Sequence, residues 1–225
     1  MKTTGTGGRE PGAGRWFDGV MVVLLALSFT GCSLLGGKQK APSTVYAPDP
    51  RVAADASWPT VQWQLTVSPP SAARAIDSFR IAVRPTPDEL QVYKGASWAK
   101  TPTDMLQDTV LRALEDSGRI PAVARQGSGI NADYKLVMDM RRFEGDYAGQ
   151  AVPSATIEVN AKLIHTADQN VVASRTFLHA EPASGTEVAA VVDAFSRGLA
   201  SVGRDVAGWV LISGDAHERG AHRKP

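Results

Sequence analysis

The chain has 225 residues, and its 24 Lys and Arg residues nearly balance 23 Asp and Glu residues. This length accommodates one domain of ordinary size with tails. The near-zero net charge gives no electrostatic basis for nucleic-acid binding, and the single cysteine excludes an internal disulfide.

The first predicted element is a bacterial lipoprotein signal. A short apolar run from Val20 to Phe29 follows a basic start and leads through small residues to Cys32. A basic start, a short apolar segment and small residues at the cut site are typical of a secretory signal, and a cysteine directly after them marks a lipoprotein. We therefore expect cleavage between Gly31 and Cys32 and acylation of the Cys32 thiol. The alternative, a transmembrane helix, needs about 20 apolar residues.

Acylation of Cys32 would leave no thiol for catalysis or for metal binding, and we expect no cofactor. Residue Ser33 follows the cysteine, where Asp is the usual inner-membrane retention signal in enteric-type bacteria. Ser33 therefore favours sorting to the outer membrane, with the domain facing the periplasm. The rest of the chain is formally neutral, so membrane attachment depends on acyl chains, of which at least two are needed for stable anchoring.

Composition divides the chain into four segments. We assign residues 1–31 to the signal peptide, 32–59 to the lipidated cysteine and a flexible tether rich in Gly, Pro and Ser, 60–214 to one domain, and 215–225 to a disordered charged tail.

Hydrophobic periodicity predicts the elements of that domain. Alternating apolar and polar residues predict strands at 61–67, 79–83, 90–93, 121–124, from 133 onward, 155–165 and 171–179. A helix begins with Thr101 as its N-cap and ends at Gly118. A second amphipathic helix runs from Thr186 to Ile212, and Gly214 ends it. The predicted fold class is α/β, more closely α+β: a single domain with a mixed β-sheet and two main helices packed on one face.

Motifs for catalysis are absent from the sequence, and we expect neither a catalytic site nor a metal site. Gly127-Ser128-Gly129 lacks the spacing of a nucleophile elbow. His165 and His179 lie at predicted strand ends without an accompanying carboxylate cluster, and His217 and His222 lie in the predicted tail. The carboxylates Asp139, Glu144, Asp146 and Glu158 fit a solvated sheet face better than an acid/base pair. The aromatic residues Trp58, Trp63, Tyr93, Trp98 and Trp209 are numerous, and we expect Trp98 and Trp209 to anchor the helices to the sheet.

An ordered set of segments carries a family resemblance. These segments are 93–102, 106–108, 111–118, 132–136, 142–144 and 173–177. Together with the cysteine signal, they resemble the ABC-type transport auxiliary lipoproteins, the family of paraquat-inducible protein C.

The resemblance implies a role in lipid traffic. Members of the family are non-catalytic outer-membrane components that meet a periplasmic protein of the mammalian-cell-entry (MCE) class, served by a permease and an ATPase. The function expected from the resemblance is therefore to dock a periplasmic lipid conduit to the outer membrane. The alternative is a periplasmic carrier that holds acyl chains in its own pocket. The sequence leaves the partner-contacting residues and the oligomeric state open, a homo-oligomer included.

The anchor assignment has a direct test. Substitution Cys32→Ala should abolish incorporation of radiolabelled palmitate and leave an uncleaved precursor, because the lipoprotein peptidase acts after acylation. Equal labelling of the wild type and the variant would contradict the lipoprotein assignment.

Overall fold

The computed structural model describes residues 43–221 together with Gly5, Gly7 and Gly8. Gly31, Cys32 and Ser33 lie outside these residues. The elements in chain order are β1 (Thr44–Tyr46), β2 (Gln64–Val67), β3 (Ser71–Ala72), β4 (Arg80–Thr86), β5 (Glu89–Trp98), α1 (Pro102–Ser117), β6 (Ala122–Arg125), β7 (Tyr134–Asp146), β8 (Ser154–His165), β9 (Val171–Pro182) and α2 (Val188–Ala221).

One open mixed sheet is organised around β7. Strand β8 pairs antiparallel with the whole length of β7, and β9 continues the sheet beyond β8. On its other side β7 pairs in parallel with β2 near its start, with β3 in the middle and with β4 near its end. The sheet therefore divides into two branches on this side, one leading to β6 and the other through β5 to β1.

The apolar residues that alternate in the sequence of β7 and β8 are those that the structure buries. Tyr134, Leu136, Met138 and Met140 of β7 are all buried, and so are the four apolar positions of β8. The register places Met138 opposite Ala161, so both strands present their apolar side chains to the same face. The fold class predicted from the sequence, a mixed sheet with two helices, is confirmed.

Helix α1 begins and ends as its sequence predicts. The Thr101 hydroxyl accepts a hydrogen bond from the Asp104 backbone N–H, and Pro102 occupies the first turn. Gly118 closes the helix with φ of 61°, the left-handed conformation that glycine adopts without steric cost. The stripe of Leu106, Val110 and Leu114 is fully buried.

An aromatic cluster fixes α2 against the sheet. Trp98 of β5 meets the rings of Phe143 on β7 and Phe195 on α2 edge-on, with centroids 6.0 and 5.3 Å away. Trp209 of α2 meets Phe177 of β9 at 5.7 Å. The predicted anchoring role of Trp98 and Trp209 is confirmed. No helix within residues 43–221 is long and apolar enough to cross a membrane.

The N-terminal segment, residues 47–63, packs against the helices, although the sequence analysis assigned most of it to a flexible tether. Asp49 forms an ion pair with Arg112 of α1, and Val52, Trp58 and Trp63 are buried. Strand β1, also inside the predicted tether, pairs in parallel with β5. The tether prediction is wrong for this part of the chain. The segment has few apolar residues and no periodicity, and it is ordered because these residues pack against the folded helices.

Helix α2 also extends further than predicted. Gly214 was expected to end it, but the helix continues to Ala221, and residues 215–221 are not a disordered tail. Gly214 serves a packing contact instead: a Cβ atom there would overlap the Trp63 ring. Gly208 has the same relation to Trp58, with a Cβ only 2.5 Å from Nε1. At both positions glycine leaves space for an indole ring, and it does not end the helix in a left-handed conformation.

Substitution Gly214→Ala should therefore destabilise the domain. Overpacking against a buried ring costs about 1–3 kcal/mol, which exceeds the gain of about 1 kcal/mol that alanine brings to a helix interior. Gly220→Ala is the matched control, since nothing lies within 4 Å of its added Cβ. Urea unfolding should lower the midpoint for Gly214→Ala and leave it equal or slightly raised for Gly220→Ala. Equal midpoints for both variants would contradict the close approach of Trp63.

Candidate functional site

The residues with the clearest functional signal in the sequence, Gly31, Cys32 and Ser33, lie outside the described residues. Cleavage, acylation and sorting therefore stay predictions. His222 also lies outside the described residues, whereas the other catalytic alternatives and the aromatic residues lie in the described domain.

Ser128 lies on an exposed turn. Gly127 and Gly129 on either side have φ of 89° and 86°, and the Ser128 N–H donates to the Arg125 carbonyl. The next element is strand β7. A nucleophile elbow needs a strand, a sharp turn and a helix in succession, so this turn does not have the architecture of a catalytic serine.

The two strand histidines do not share a site. His165, at the end of β8, bonds Asp168 through Nδ1 at 3.0 Å. His179 lies opposite Ile157 of β8, eight residues along that strand from His165, or roughly 26 Å. It forms its own contact, with Asp205 of α2 at 2.9 Å. Among the described residues, no group of three or more His, Cys, Asp or Glu side chains is arranged to hold a metal ion.

His217 joins a cluster that the sequence analysis missed. Its Nδ1 atom lies 2.7 Å from the Tyr134 hydroxyl, which also donates to Glu218 Oε1 at 2.6 Å. The rings of His165 and His217 lie 5.1 Å apart, and Trp63 meets Tyr134 edge-on at 4.8 Å. Because α2 was expected to end at Gly214, nothing in the sequence indicated that His217 and Glu218 would reach β7.

Burial is the main cause that raises the pKa of Tyr134, and the hydrogen bond to the Glu218 carboxylate raises it further. The phenol therefore stays neutral and acts as a donor. Tyr134 is fully buried, so it ties the last turns of α2 to the sheet and is not accessible to a substrate.

An acidic depression of about 370 Å³ opens beside this cluster. Asp133, Asp215 and Glu218 contribute three carboxylates to its wall. Asp133 accepts the Gln64 N–H, Asp215 pairs with Arg219 at 2.6 Å, and Glu218 accepts from Tyr134. Each carboxylate thus already has a partner, which suits a solvated surface better than a catalytic acid and base.

A second depression has a different character. The Trp209 depression, about 290 Å³, is formed by Trp58, Trp209 and Ile212 with Arg175, Arg204, Asp55 and Asp205 at its margin. Ile212 is half exposed, at 50%. Arg175 lies over the Phe177 ring at 5.0 Å. Aromatic and arginine side chains beside an exposed apolar residue are typical of protein–protein contacts.

The carboxylates of the outer sheet face are paired with arginines. Glu144 is only 1% exposed, and both its oxygens accept from Arg84, at 2.7 and 3.0 Å. Arg142 donates to Glu144 at 2.9 Å and also to Asp146. The hydrogen bond with Glu144 raises the pKa of Arg84. Charge-assisted bonds of this kind stabilise the point where β4 joins β7, so Glu144 acts as a structural ion-pair partner.

The other two carboxylates of this face, Asp139 and Glu158, lie 3.8 and 3.5 Å from Arg141. Tyr93 lies on β5 with its hydroxyl close to Gly145, and burial raises the pKa of Tyr93 to about 12. Asp139 also accepts from the Ser71 hydroxyl at 2.9 Å, so this carboxylate has two polar partners on the exposed face.

Comparison with known proteins gives a family and several relatives. Residues 44–207 match the family described as the ABC-type transport auxiliary lipoprotein component. A crystallised protein from Xanthomonas campestris is 58% identical over 78% of this chain and 99% of its own, with a TM-score of 0.75. A crystallised uncharacterised protein shares the fold at 14% identity, with a TM-score of 0.58, over 74% of this chain and 97% of its own.

An uncharacterised protein of Bradyrhizobium diazoefficiens is 26% identical over 156 residues, which are 68% of this chain and 41% of that protein. The present chain therefore spans about two fifths of the length of this curated relative.

The contribution of the Glu144 ion pairs to stability can be compared with that of a more exposed pair on the same face. Glu144→Gln removes the buried charge that Arg84 and Arg142 share; because both arginines are partly exposed and Arg142 keeps Asp146, the cost should lie below the about 3–5 kcal/mol of a fully buried pair. Glu158→Gln removes only the exposed pair with Arg141, worth about 0–1 kcal/mol. Thermal unfolding should show a clearly lower Tm for Glu144→Gln alone. An unchanged Tm for that variant would contradict the structural role of Glu144.

Proposed function

Because this chain belongs to the family of ABC-type transport auxiliary lipoprotein components, we propose that it is an outer-membrane lipoprotein that docks a periplasmic lipid conduit to the membrane and catalyses no reaction. Cys32 is the anchor, and Ser33 directs the protein to the outer membrane. The partner is a periplasmic protein of the MCE class.

The family match over residues 44–207 carries this proposal. It covers both branches of the sheet, α1 and most of α2, so the whole domain has the family's architecture. The cysteine signal lies upstream, where a membrane anchor would leave the domain free to meet a partner.

The surroundings of the catalytic alternatives support a non-enzymatic role. Ser128 has the wrong architecture, His165 and His179 are far apart, and Glu144 is held by two arginines. A rate enhancement needs a nucleophile, a base and stabilising donors that converge on one reacting atom. Ser128, His165, His179 and Glu144 instead have separate surroundings that do not converge on one atom.

The depressions favour a docking protein over the alternative of a lipid carrier. Four depressions on residues 43–221 hold about 290–380 Å³ each and are open to solvent. A ligand pocket usually encloses most of its ligand and is mainly apolar. The space between the helices and the sheet is instead filled by large buried side chains, including Trp98, Phe143 and Phe195.

The Trp209 depression is our assigned docking surface. It joins the exposed side chain of Ile212 to two arginines and two aspartates, and its lining comes from α2, β9 and the N-terminal segment. The lining of the acidic depression is more polar than that of the Trp209 depression, so it fits a partner protein less well.

Site-specific photocrosslinking in cells tests this assignment. A photoreactive phenylalanine at position 212 of the full-length chain should crosslink to an MCE-class protein, identified by mass spectrometry. Position 152 is the matched control, because Val152 is also exposed, at 38%, but lies in the connection between β7 and β8. It should give no such product.

Two outcomes would contradict the proposal. Equal crosslinking at positions 212 and 152 would mean that the Trp209 depression is not the docking surface. Stoichiometric phospholipid in the purified protein, without any MCE-class product at position 212, would favour the lipid carrier.

A further inference from the structure

Phe79 is an exposed aromatic residue on an ordered loop. It is 56% exposed, and among the described residues it is the one Phe, Tyr or Trp that is not buried or half-buried. The loop that carries it connects β3 to β4. Ile76 of this loop is buried, and Asp77 accepts hydrogen bonds from the backbone N–H and the hydroxyl of Thr103 on α1, at 3.3 and 2.8 Å. Because these contacts fix the loop, the exposure of Phe79 is a feature of the fold.

A second exposed apolar residue, Val45, lies close to this loop. Val45 of β1 pairs with Ser97 of β5, and on its other side Ser97 pairs with Arg80 of β4. Adjacent strands lie about 4.8 Å apart, so the backbones of Val45 and Arg80 are separated by about 10 Å. The Phe79 carbonyl accepts the Trp98 N–H at 2.7 Å, so the register shift between β4 and β5 lies beyond this row. Val45 is 61% exposed, so it extends the apolar surface of Phe79 toward β1.

Two arginines flank Phe79 without a partner in the domain. Arg74 precedes it in the loop and Arg80 follows it directly, and both are exposed. Neither guanidinium forms an ion pair or a hydrogen bond with a described residue, whereas most arginines of the domain bond a carboxylate or a carbonyl. Asp77, the acidic residue between them, is bonded to Thr103. The loop therefore presents positive charge that can bind an anionic group outside the protein.

The start of β1 limits where this surface lies relative to the proposed anchor. Eleven residues separate Cys32 from Thr44, the first residue of β1. An extended chain spans at most about 3.5 Å per residue, so β1 stays within roughly 40 Å of the acylated cysteine. Val45 is the next residue, so the surface around Val45 and Phe79 lies on the side of the domain where the chain arrives from the membrane.

We propose that this surface, formed by Val45, Arg74, Phe79 and Arg80 and named the Phe79 surface, rests on the phospholipid membrane in which Cys32 is anchored. The inference depends on the proposed function, which supplies the anchor. Aromatic and aliphatic side chains enter the boundary between headgroups and acyl chains, and arginines bind the phosphates of anionic lipids.

The membrane contact would orient the domain, which an acyl anchor alone does not do. The anchor attaches the chain at one point, and a second contact at the Phe79 surface sets which side of the domain meets the lipid. The Trp209 depression shares no residue with the Phe79 surface. It therefore stays open to a protein partner while the Phe79 surface is on the membrane.

A fluorescent label on the full-length, acylated protein in vesicles tests this contact. Acylation blocks the Cys32 thiol, so a maleimide label reacts with a cysteine introduced at another position. The vesicles contain phosphatidylethanolamine, phosphatidylglycerol and a lipid that carries a nitroxide quencher near its headgroup. An environment-sensitive label on Phe79→Cys should shift to the blue and be quenched several-fold. Leu178→Cys is the matched control, because Leu178 is equally exposed, at 59%, but lies on β9, and its label should stay in water.

A charge reversal tests the role of the arginines. Arg80→Glu in the Phe79→Cys background should reduce the quenching several-fold, because it replaces a cation at the lipid phosphates by an anion. Lys162→Glu is the matched control, since it makes the same change of charge at an exposed residue of β8 and should leave the quenching unchanged. Equal effects of the two substitutions would contradict the binding of lipid phosphate by the Phe79 surface.

The outcomes separate this inference from the anchor on which it depends. Equal quenching at positions 79 and 178, or no quenching at position 79 while the protein stays on the vesicles, would overturn the membrane contact and leave the anchor intact. Release of the protein from the vesicles would contradict the anchor and both proposals with it. A photoreactive phenylalanine at position 79 that crosslinks in cells to a protein, and not to lipid, would assign the Phe79 surface to a protein partner and overturn the inference.

Discussion

The contact of two indole rings with two glycines of α2 determines much of this structure. Trp58 occupies the space that a side chain at Gly208 would fill, and Trp63 does the same at Gly214. Any larger residue at these helix positions would push the N-terminal segment away from α2. Because the two rings sit six residues apart on the helix, they fix the position of residues 47–63 along it.

Several features follow from that contact. Trp63 packs edge-on against Tyr134, and Tyr134 in turn bonds His217 and Glu218 near the end of α2. The acidic depression lies beside this group, and the Trp209 depression lies beside Trp58. The N-terminal segment thus lines part of both depressions, and its position depends on the two glycines of α2.

Hydrophobic packing and ion pairing stabilise opposite sides of the sheet. The helix side holds the aromatic cluster of Trp98, Phe143 and Phe195. On the other side the buried carboxylate of Glu144 joins Arg84 of β4 to Arg142 of β7. The helices cover only the first of these sides, and β9 ends the sheet with an unpaired edge.

The sequence determined those features that depend on local periodicity and on chemistry at a single position. The alternation in β7 and β8, the cap at Thr101 and the turn at Gly118 each depend on neighbours within a few residues, and the structure has all of them. The resemblance to the transport auxiliary lipoproteins also came from ordered local segments, and the family match confirms it. The tertiary structure decided the role of Gly214, because its partner Trp63 lies 151 positions earlier in the chain. It also decided that residues 47–59 pack against the domain and that His217 reaches Tyr134. Such contacts between distant residues leave no period in the sequence, since only the folded chain brings their two sides together.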